Sequence, residues 1–414
     1  MRRAISIVLF FAVTVLVSAD SPSWPCWRGA DRDGVSTETG WDPMALKDGP
    51  KILWKADVGP GYSDVAIQNG RLYTMGLEKE KTAIICLNAA TGKRIWRYSF
   101  QSHGEPMSTP AVDGDRVYGL GSGGEMLCLR SSNGKVVWQK HLERDLDALF
   151  QVYGWATSPL VDGDLLLINA NMSGVCLDAR TGAMIWNSPQ YAPGWSGFGF
   201  YTSPVPCLLD GTRCVAFYGP IALNVVEASS GKLISSFVHG ERTHPVADPI
   251  LSGGRVFIDR PSSILFEMGS AGANVIWRNE ELVTGITTAV LVDGHLYGWH
   301  KGWVSFPNLD WGALQKARLP LRCIEWETGK VMWESEKMSS ISLTASDGKL
   351  ILLEANGTLR IAEATPAGYH ELSSADVLKG ERKPRRFVTA PVLCGGLIYC
   401  RNYTGDLICI DVRR

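Results

Sequence analysis

The sequence predicts an all-β chain folded as an eight-bladed β-propeller of four-stranded antiparallel blades. Three observations carry the prediction: a turn dipeptide that recurs eight times, a second turn motif that ends in Trp, and two chain ends that complement each other. Self-similarity at a fixed period marks a repeat architecture, and a period in the forties belongs to propeller blades.

The first signal is a set of turn dipeptides, spaced 40 to 54 residues apart: Asn69-Gly70, Asp113-Gly114, Asp162-Gly163, Asp210-Gly211, Gly253-Gly254, Asp293-Gly294, Asp347-Gly348 and Gly395-Gly396. Each lies between short apolar, β-branched runs. Asn, Asp and Gly tolerate the left-handed backbone that a two-residue type I′ hairpin demands, so each dipeptide predicts the first hairpin of a blade.

The second signal appears as LNAATGKRIW (87–96), LRSSNGKVVW (129–138), LDARTGAMIW (177–186), VEASSGKLIS (226–235) and IEWETGKVMW (324–333). It predicts the hairpin between third and fourth strands, with the Trp in the returning strand. Degenerate copies precede Trp277 and Leu372, and Ser235 stands at the Trp position of the fourth unit. Blades four and seven are therefore the most divergent.

The eighth unit runs through residues 407–412 with no fourth strand after it, whereas residues 51–58, with Trp54 at the Trp position, precede the first turn. Pairing the two segments closes the ring and removes two exposed sheet edges.

At the start of the chain, Arg2 and Arg3 precede an apolar run that ends in the small residues Val17, Ser18 and Ala19. This predicts a cleaved signal peptide over residues 1–19. The run is shorter than the roughly 20 residues that span a bilayer, so no transmembrane helix is expected after cleavage. Ser23, Trp24 and Pro25 lack the character that a lipid-attachment signal needs before Cys26, and no lipid anchor is expected. Loss of Arg2 and Arg3 reduces the 41 basic side chains to 39 against 42 acidic ones, a net charge of about −3. Apart from the run from Lys383 to Arg386 there is no basic stripe, so nucleic acid is not an expected partner.

Of the ten cysteines, Cys86, Cys128, Cys176, Cys323 and Cys409 share one repeat position and are read as small buried thiols kept apart by the ring. Cys207 and Cys214 face each other across the Asp210-Gly211 turn. Directly opposed Cβ atoms sit near the upper limit for bridging, so a disulfide and a free pair both stay open. No metal-type cysteine spacing and no haem-attachment motif occurs, and no metal site is expected.

The repeat unit, with Thr-Gly followed four residues later by Trp, resembles the repeats named after pyrroloquinoline quinone (PQQ), and the resemblance covers residues 51–414. The leader WPCWRGADRDGVS (24–36) is similar to the segment that opens many bacterial PQQ-like propellers, so residues 20–50 are expected to strap the ring. The resemblance implies that Trp54, Trp96, Trp138, Trp186, Trp277 and Trp333 lie between neighbouring blades, while the expected signal peptide makes the chain periplasmic or secreted.

In an antiparallel meander the first and third turns share one face, and all other connections gather on the opposite face. That loop-rich face would display Tyr153, Trp155, Tyr191, Trp195, Phe198, Tyr201, His244, Trp299, Trp303, Trp311, Arg385 and Arg386. Such aromatics either plug the central channel or form a docking surface; on the second reading Trp155, Trp195, Tyr201, Trp303 and Arg386 are the binding anchors.

The resemblance spans both BamB-like scaffolds of the bacterial envelope and quinoprotein dehydrogenases that use PQQ and Ca²⁺. The dehydrogenases cover PQQ with a disulfide of two adjacent cysteines, and no two cysteines are adjacent here. Arg385 with Arg386 can serve a tricarboxylate, and Glu105, Asp145, Asp248 or Asp310 a cation, but in no recognisable spacing. The expectation is a monomeric, non-catalytic scaffold that binds an envelope protein and carries no cofactor. A PQQ- and calcium-dependent alcohol or sugar dehydrogenase is the alternative, and a glycan-binding or sensing propeller the second, since fold alone does not choose between them.

Overall fold

A computed structural model describes residues 22–191, 201–240, 243–269, 272–300, 318–339, 341–378 and 389–414. They form eight antiparallel meanders in a ring, an eight-bladed β-propeller in which one blade carries a fifth strand. Blade one shows the plan: Ala66–Gln68 lies innermost, followed outward by Arg71–Glu78, Lys81–Asn88 and Arg94–Phe100. The two middle strands are covered by neighbouring blades on both faces, which is why they read as continuous apolar runs. The outermost strand keeps one side in water.

Six of the eight first turns have both central residues at positive φ, as at Asn69 and Gly70 (52° and 69°). Blades two and three turn one residue later than the dipeptide suggests. Asp113 pairs with Arg116 and Asp162 with Leu165, so the corners are Gly114-Asp115 and Gly163-Asp164. Only the Gly of each corner takes positive φ, the arrangement of a type II′ turn with Gly at its first central position.

Every blade also has a bulge just before the Trp position. In blade one Cys86 faces Trp96 and Leu87 faces Arg94, leaving Ile95 as the extra residue. Side chains alternate with period two along a strand, so one extra residue resets which face the Trp takes. In blade seven the bulge puts Ser373, not Leu372, at the Trp position.

The outer-strand Trp of each blade docks on the third turn of the next. Trp54 donates from Nε1 to Ala89 O (2.9 Å), Trp96 to Ser131 O (2.9 Å), Trp138 to Ala179 O (3.1 Å), Trp186 to Ala228 O (2.9 Å), Trp277 to Trp326 O (2.8 Å) and Trp333 to Thr365 O (2.8 Å). The turn's Gly lies against the ring: a Cβ on Gly92 would sit 2.6 Å from Trp54. The two blades without Trp keep a donor. Ser235 Oγ donates to Gly269 O (2.9 Å), and Phe237 stacks on Phe266 with centroids 4.0 Å apart. Ser373 Oγ donates to Pro43 O (2.6 Å), while Trp41 fills the core between blades seven and eight.

The five repeat cysteines are fully buried on five different blades, each opposite the outer-strand Trp. Cys207 is directly opposite Cys214, and all ten cysteines are free thiols. The ring closes through Ile52–Asp57, which pairs antiparallel with Asp406–Asp411, Trp54 opposite Cys409.

The leader holds the ring from within rather than over it. Trp24 exchanges both backbone hydrogen bonds with Ile67 (2.8 and 2.7 Å), Pro25 O accepts from Val112 N (2.8 Å), and Val35–Ser36 pairs in parallel with Ile341–Ser346 as the fifth strand of blade seven. The innermost strands leave unpaired backbone groups along the channel, and the leader takes them up. Among the described residues no helix is long and apolar enough to cross a membrane.

Candidate functional site

Each blade enters its first strand from the loop-rich face, and a repeat position two residues before that strand forms a belt around the channel. Asp64 N donates to Thr109 Oγ1 (2.9 Å), Thr109 N to Ser158 Oγ (3.0 Å), Ser158 N to Ser203 Oγ (3.0 Å), Ser203 N to Asp248 Oδ1 (2.6 Å) and Asp248 N to Thr288 Oγ1 (3.0 Å). A short side-chain oxygen reaches the neighbouring blade's backbone, so Ser, Thr and Asp occupy these positions across blades one to six. The sequence carries the signal as STPAV (108–112), TSPLV (157–161), TSPVP (202–206) and ADPIL (247–251), a third repeat motif separate from the two turn motifs.

Beside the belt lies an axial cavity of about 550 Å³. Trp24, Trp27 and Arg28 of the leader close it on the tight-turn side, and belt residues with Tyr62, Glu105, Tyr153, Tyr201 and Tyr403 form its wall. The volume falls within the range of small-molecule pockets, as does the mix of aromatic faces with a few polar groups.

The charged groups of this wall are engaged within the protein. Asp248 accepts from Trp27 Nε1 (2.6 Å) as well as from Ser203 N. Burial pushes its carboxyl up, against the opposing Ser203 N–H and Arg28 charge. Arg28 donates to the carbonyls of Arg32 (3.2 Å), Asp33 (2.5 Å), Thr288 (3.5 Å) and Ala289 (2.9 Å), and burial lowers its pKa. Asp64 is raised to about 7 by burial, opposed by the Val65 N–H, the Thr389 hydroxyl and Arg401. Arg401 itself, lowered by burial to about 10, donates to Ser63 O, Thr74 Oγ1 (2.6 Å) and Gly59 O (3.1 Å). Glu105 accepts from the Tyr403 hydroxyl, and the Tyr62 and Tyr403 rings lie 4.9 Å apart.

Of the anchors named from sequence, Tyr201 lines the cavity, whereas Trp155 is 1% exposed, packed between blades two and three with Nε1 donating to Glu143 Oε1 (3.3 Å). An apolar ring this large is drawn under the loop rather than held out to water. Trp195, Trp303 and Arg386 lie outside the described residues, as do Phe198, Asp310, Trp311 and Arg385. Tyr191 and Trp299 are buried; Tyr153 and His244 line the cavity. Asp145 stands on the short helix Leu142–Leu146, where it accepts from His141 N (2.8 Å), and is not part of the cavity wall. The same loop exposes Phe150 (59%), Val152 (41%) and Tyr153 (53%). Phe150 and Val152 were not legible as surface residues, because an apolar residue in a loop gives no sign of which way it turns.

An eight-bladed ring whose outer-strand Trp docks on the next blade's Thr-Gly turn defines a PQQ-repeat propeller. The model of the family described as outer membrane protein assembly factor BamB matches residues 45–279, more than half of the chain, and the chain belongs to that family. An outer membrane protein assembly factor BamB of Moranella endobia (strain PCIT) is 24% identical over 120 residues, which are 29% of this chain and 27% of that protein. The match thus spans about a quarter of that relative. The crystal structure of BamB from Moraxella catarrhalis superposes with a TM-score of 0.62 at 14% identity, covering 87% of this chain and 97% of that one. Quinohemoprotein alcohol dehydrogenase from Comamonas testosteroni superposes with a TM-score of 0.67 at 13% identity, covering 94% and 80%. Both structural likenesses concern the fold.

PQQ, the group that the second likeness brings to mind, is a tricarboxylate and needs cationic donors. The guanidinium of Arg28 is spent on main-chain carbonyls and so does not fit that demand. Among the described residues no cluster of His, Cys, Asp or Glu is grouped to hold a metal ion.

Proposed function

We propose that the protein is a non-catalytic recognition scaffold of the bacterial envelope, exported to the periplasm as a monomer, that engages a protein partner in outer membrane protein assembly through its loop-rich face. The family match carries this reading, since the matching family is described as an assembly factor. The exposed run Phe150, Val152 and Tyr153 supports the choice of face, because contiguous exposed apolar side chains on a rigid frame mark interaction sites. The cavity supports the absence of alcohol oxidation: a base must be free to take a proton from the substrate hydroxyl, and Asp248 and Glu105 are already engaged.

Photo-crosslinking from positions 150 and 153 in the native cell tests the reading. The expected adduct is a component of the outer membrane assembly machinery, lost in the double variant Phe150→Ala and Tyr153→Ala at an unchanged Tm. Stoichiometric retention of added PQQ and Ca²⁺ with dye-linked oxidation of alcohols or aldoses would overturn it in favour of the dehydrogenase.

A further inference from the structure

The first hairpin of blade four runs past the rest of its sheet. In the other seven blades the residue that leaves the first turn pairs at once with the third strand, as Arg71 does with Asn88 and Arg255 with Glu267. In blade four the turn is left at Thr212, and Cys214, two residues on, is the first to reach the third strand, opposite Glu227. Leu208 and Leu209, paired with Arg213 and Thr212, therefore form a two-stranded tip that no third strand covers, with Leu208 71% exposed. A ribbon of two strands is marginal by itself. The ion pair of Arg213 with Asp162 of blade three lies in water and holds it only weakly.

Cys207 and Cys214 stand opposite each other at the base of this tip. Opposed Cα atoms of an antiparallel pair lie about 4.5–5.5 Å apart, inside the range that a disulfide spans. Bridging draws the two Cβ atoms together by up to about 1 Å, and the uncovered tip allows it, because two-stranded ribbons twist more freely than wide sheets. Both side chains pack into the core between blades four and five, the joint where Ser235 takes the place of the repeat Trp. Cys214 is fully buried and Cys207 half-buried.

We propose that Cys207 and Cys214 form a disulfide when the chain folds in an oxidising compartment, and that this bridge fastens the tip of blade four at the joint that lacks its Trp. The oxidant is a disulfide, either oxidised glutathione or a thiol–disulfide oxidoreductase. The Cys207 thiolate attacks its S–S bond and releases one thiol; the Cys214 thiolate then attacks the Cys207 sulfur of the mixed disulfide and releases the second, so that two electrons pass from the pair to the oxidant. Burial pushes the Cys207 thiol up to about 12 and also raises Cys214, so the exchange belongs to folding, before blade five covers the pair. The oxidising surroundings rest on the periplasmic export proposed above, whereas the pairing of the two thiols does not.

The full mature chain, produced in an oxidising and in a reducing host cytoplasm, then denatured and alkylated, tests the proposal. The oxidising host should yield two fewer alkylated thiols than the ten cysteines of the sequence, and a non-reducing peptide map that joins Cys207 to Cys214. The oxidised chain should melt about 2 °C or more above the reduced one, a difference that Cys207→Ser abolishes. Ten alkylated thiols from the oxidising host, or a Cys207→Ser variant that still loses a pair of thiols there, would overturn the assignment. A bridge in the oxidising host with ten free thiols in protein alkylated on extraction from the native cell would uphold the pair and count against periplasmic export instead.

Discussion

Trp138 and Gly182 form one joint: the indole donates to the Ala179 carbonyl, and the Gly, at φ 73°, leaves room for the ring, 2.7 Å from where a Cβ would stand. Trp138→Ala removes a large buried ring and is expected to cost about 3–5 kcal/mol in urea unfolding. Gly182→Ala, which adds one carbon where there is neither space nor a suitable backbone, should cost about 1–3 kcal/mol. Asp64 gives a pH prediction. Its carboxyl is raised from 3.8 to about 7 by burial, so the native state holds its proton more tightly than the unfolded chain does. Stability from this group is therefore full below about pH 4, falls as pH rises towards 7, and is flat above that, by up to ~4 kcal/mol. Arg401, at about 10, stays charged through that window, and buried Cys400, pushed well above its usual value, stays neutral. In urea titrations from pH 4.5 to 8.5 the Asp64→Asn variant should lack the slope; parallel curves would mean that Asp64 ionises normally. The repeat Trp residues were legible because each follows a Thr-Gly or equivalent turn at fixed spacing. Asp64 was not, and Asp248 stood out only as a cation candidate, because both replace Ser or Thr in a belt that shows only when the blades are aligned on their first strands.

The closing strand is the clearest case of an element read from sequence. An apolar segment before the first turn and a three-strand unit at the end can both be satisfied only by pairing, and the register Trp54 opposite Cys409 repeats that of Trp96 opposite Cys86. Deleting residues 51–58 uncovers the edge of Asp406–Asp411 and removes the Trp54 joint, so the Tm of the deleted chain should fall sharply; an unchanged Tm would contradict closure. The corners of blades two and three were misplaced by one residue because Asp-Gly and Gly-Asp turns share the same letters in Asp113-Gly114-Asp115, and only pairing of Asp113 with Arg116 decides. The bulge before each Trp left no signal, since an extra apolar residue in an outer strand reads like its neighbours. Cys207 and Cys214 are the one pair brought face to face by register, while the repeat thiols sit on separate blades. Peptide mapping of oxidised protein under non-reducing conditions should therefore find no bridge among Cys86, Cys128, Cys176, Cys323 and Cys409; any such bridge would refute the blade register.

At the scale of the whole ring, three sets of bonds join the blades. Outer-strand Trp or Ser donors tie each blade to the next or to the leader, the belt of Ser, Thr and Asp ties blades one to six near the axis, and the leader ties the innermost strands across the channel. The leader contributes what the repeats lack. Trp41 stands in the core beside blade seven, where the repeat Trp is missing, and Arg32, 2% exposed, binds the carbonyls of Ser158 and Pro159 in blade three. Sequence gave the leader's existence through WPCWRG but not its place, because a segment of Trp, Arg and Gly fits a surface strap and a channel plug equally. A specific consequence separates these two placements. The amides of Ile67, Val112 and Ala345 belong to three blades, and their hydrogen-bond acceptors are Trp24, Pro25 and Gly34 of the leader. In native-state hydrogen exchange of the full chain, these amides should be protected like the blade interiors. In a chain beginning at residue 51, which keeps the closing strand, the same three should lose protection, while amides in the middle strands such as Arg71–Glu78 and Lys81–Asn88 keep most of theirs. The shortened chain should also be less stable by about 5 kcal/mol or more, from lost charged hydrogen bonds and buried indoles. Equal protection of the three amides with and without the leader would place residues 24–36 outside the channel, and the cavity floor of Trp24, Trp27 and Arg28 would go with them.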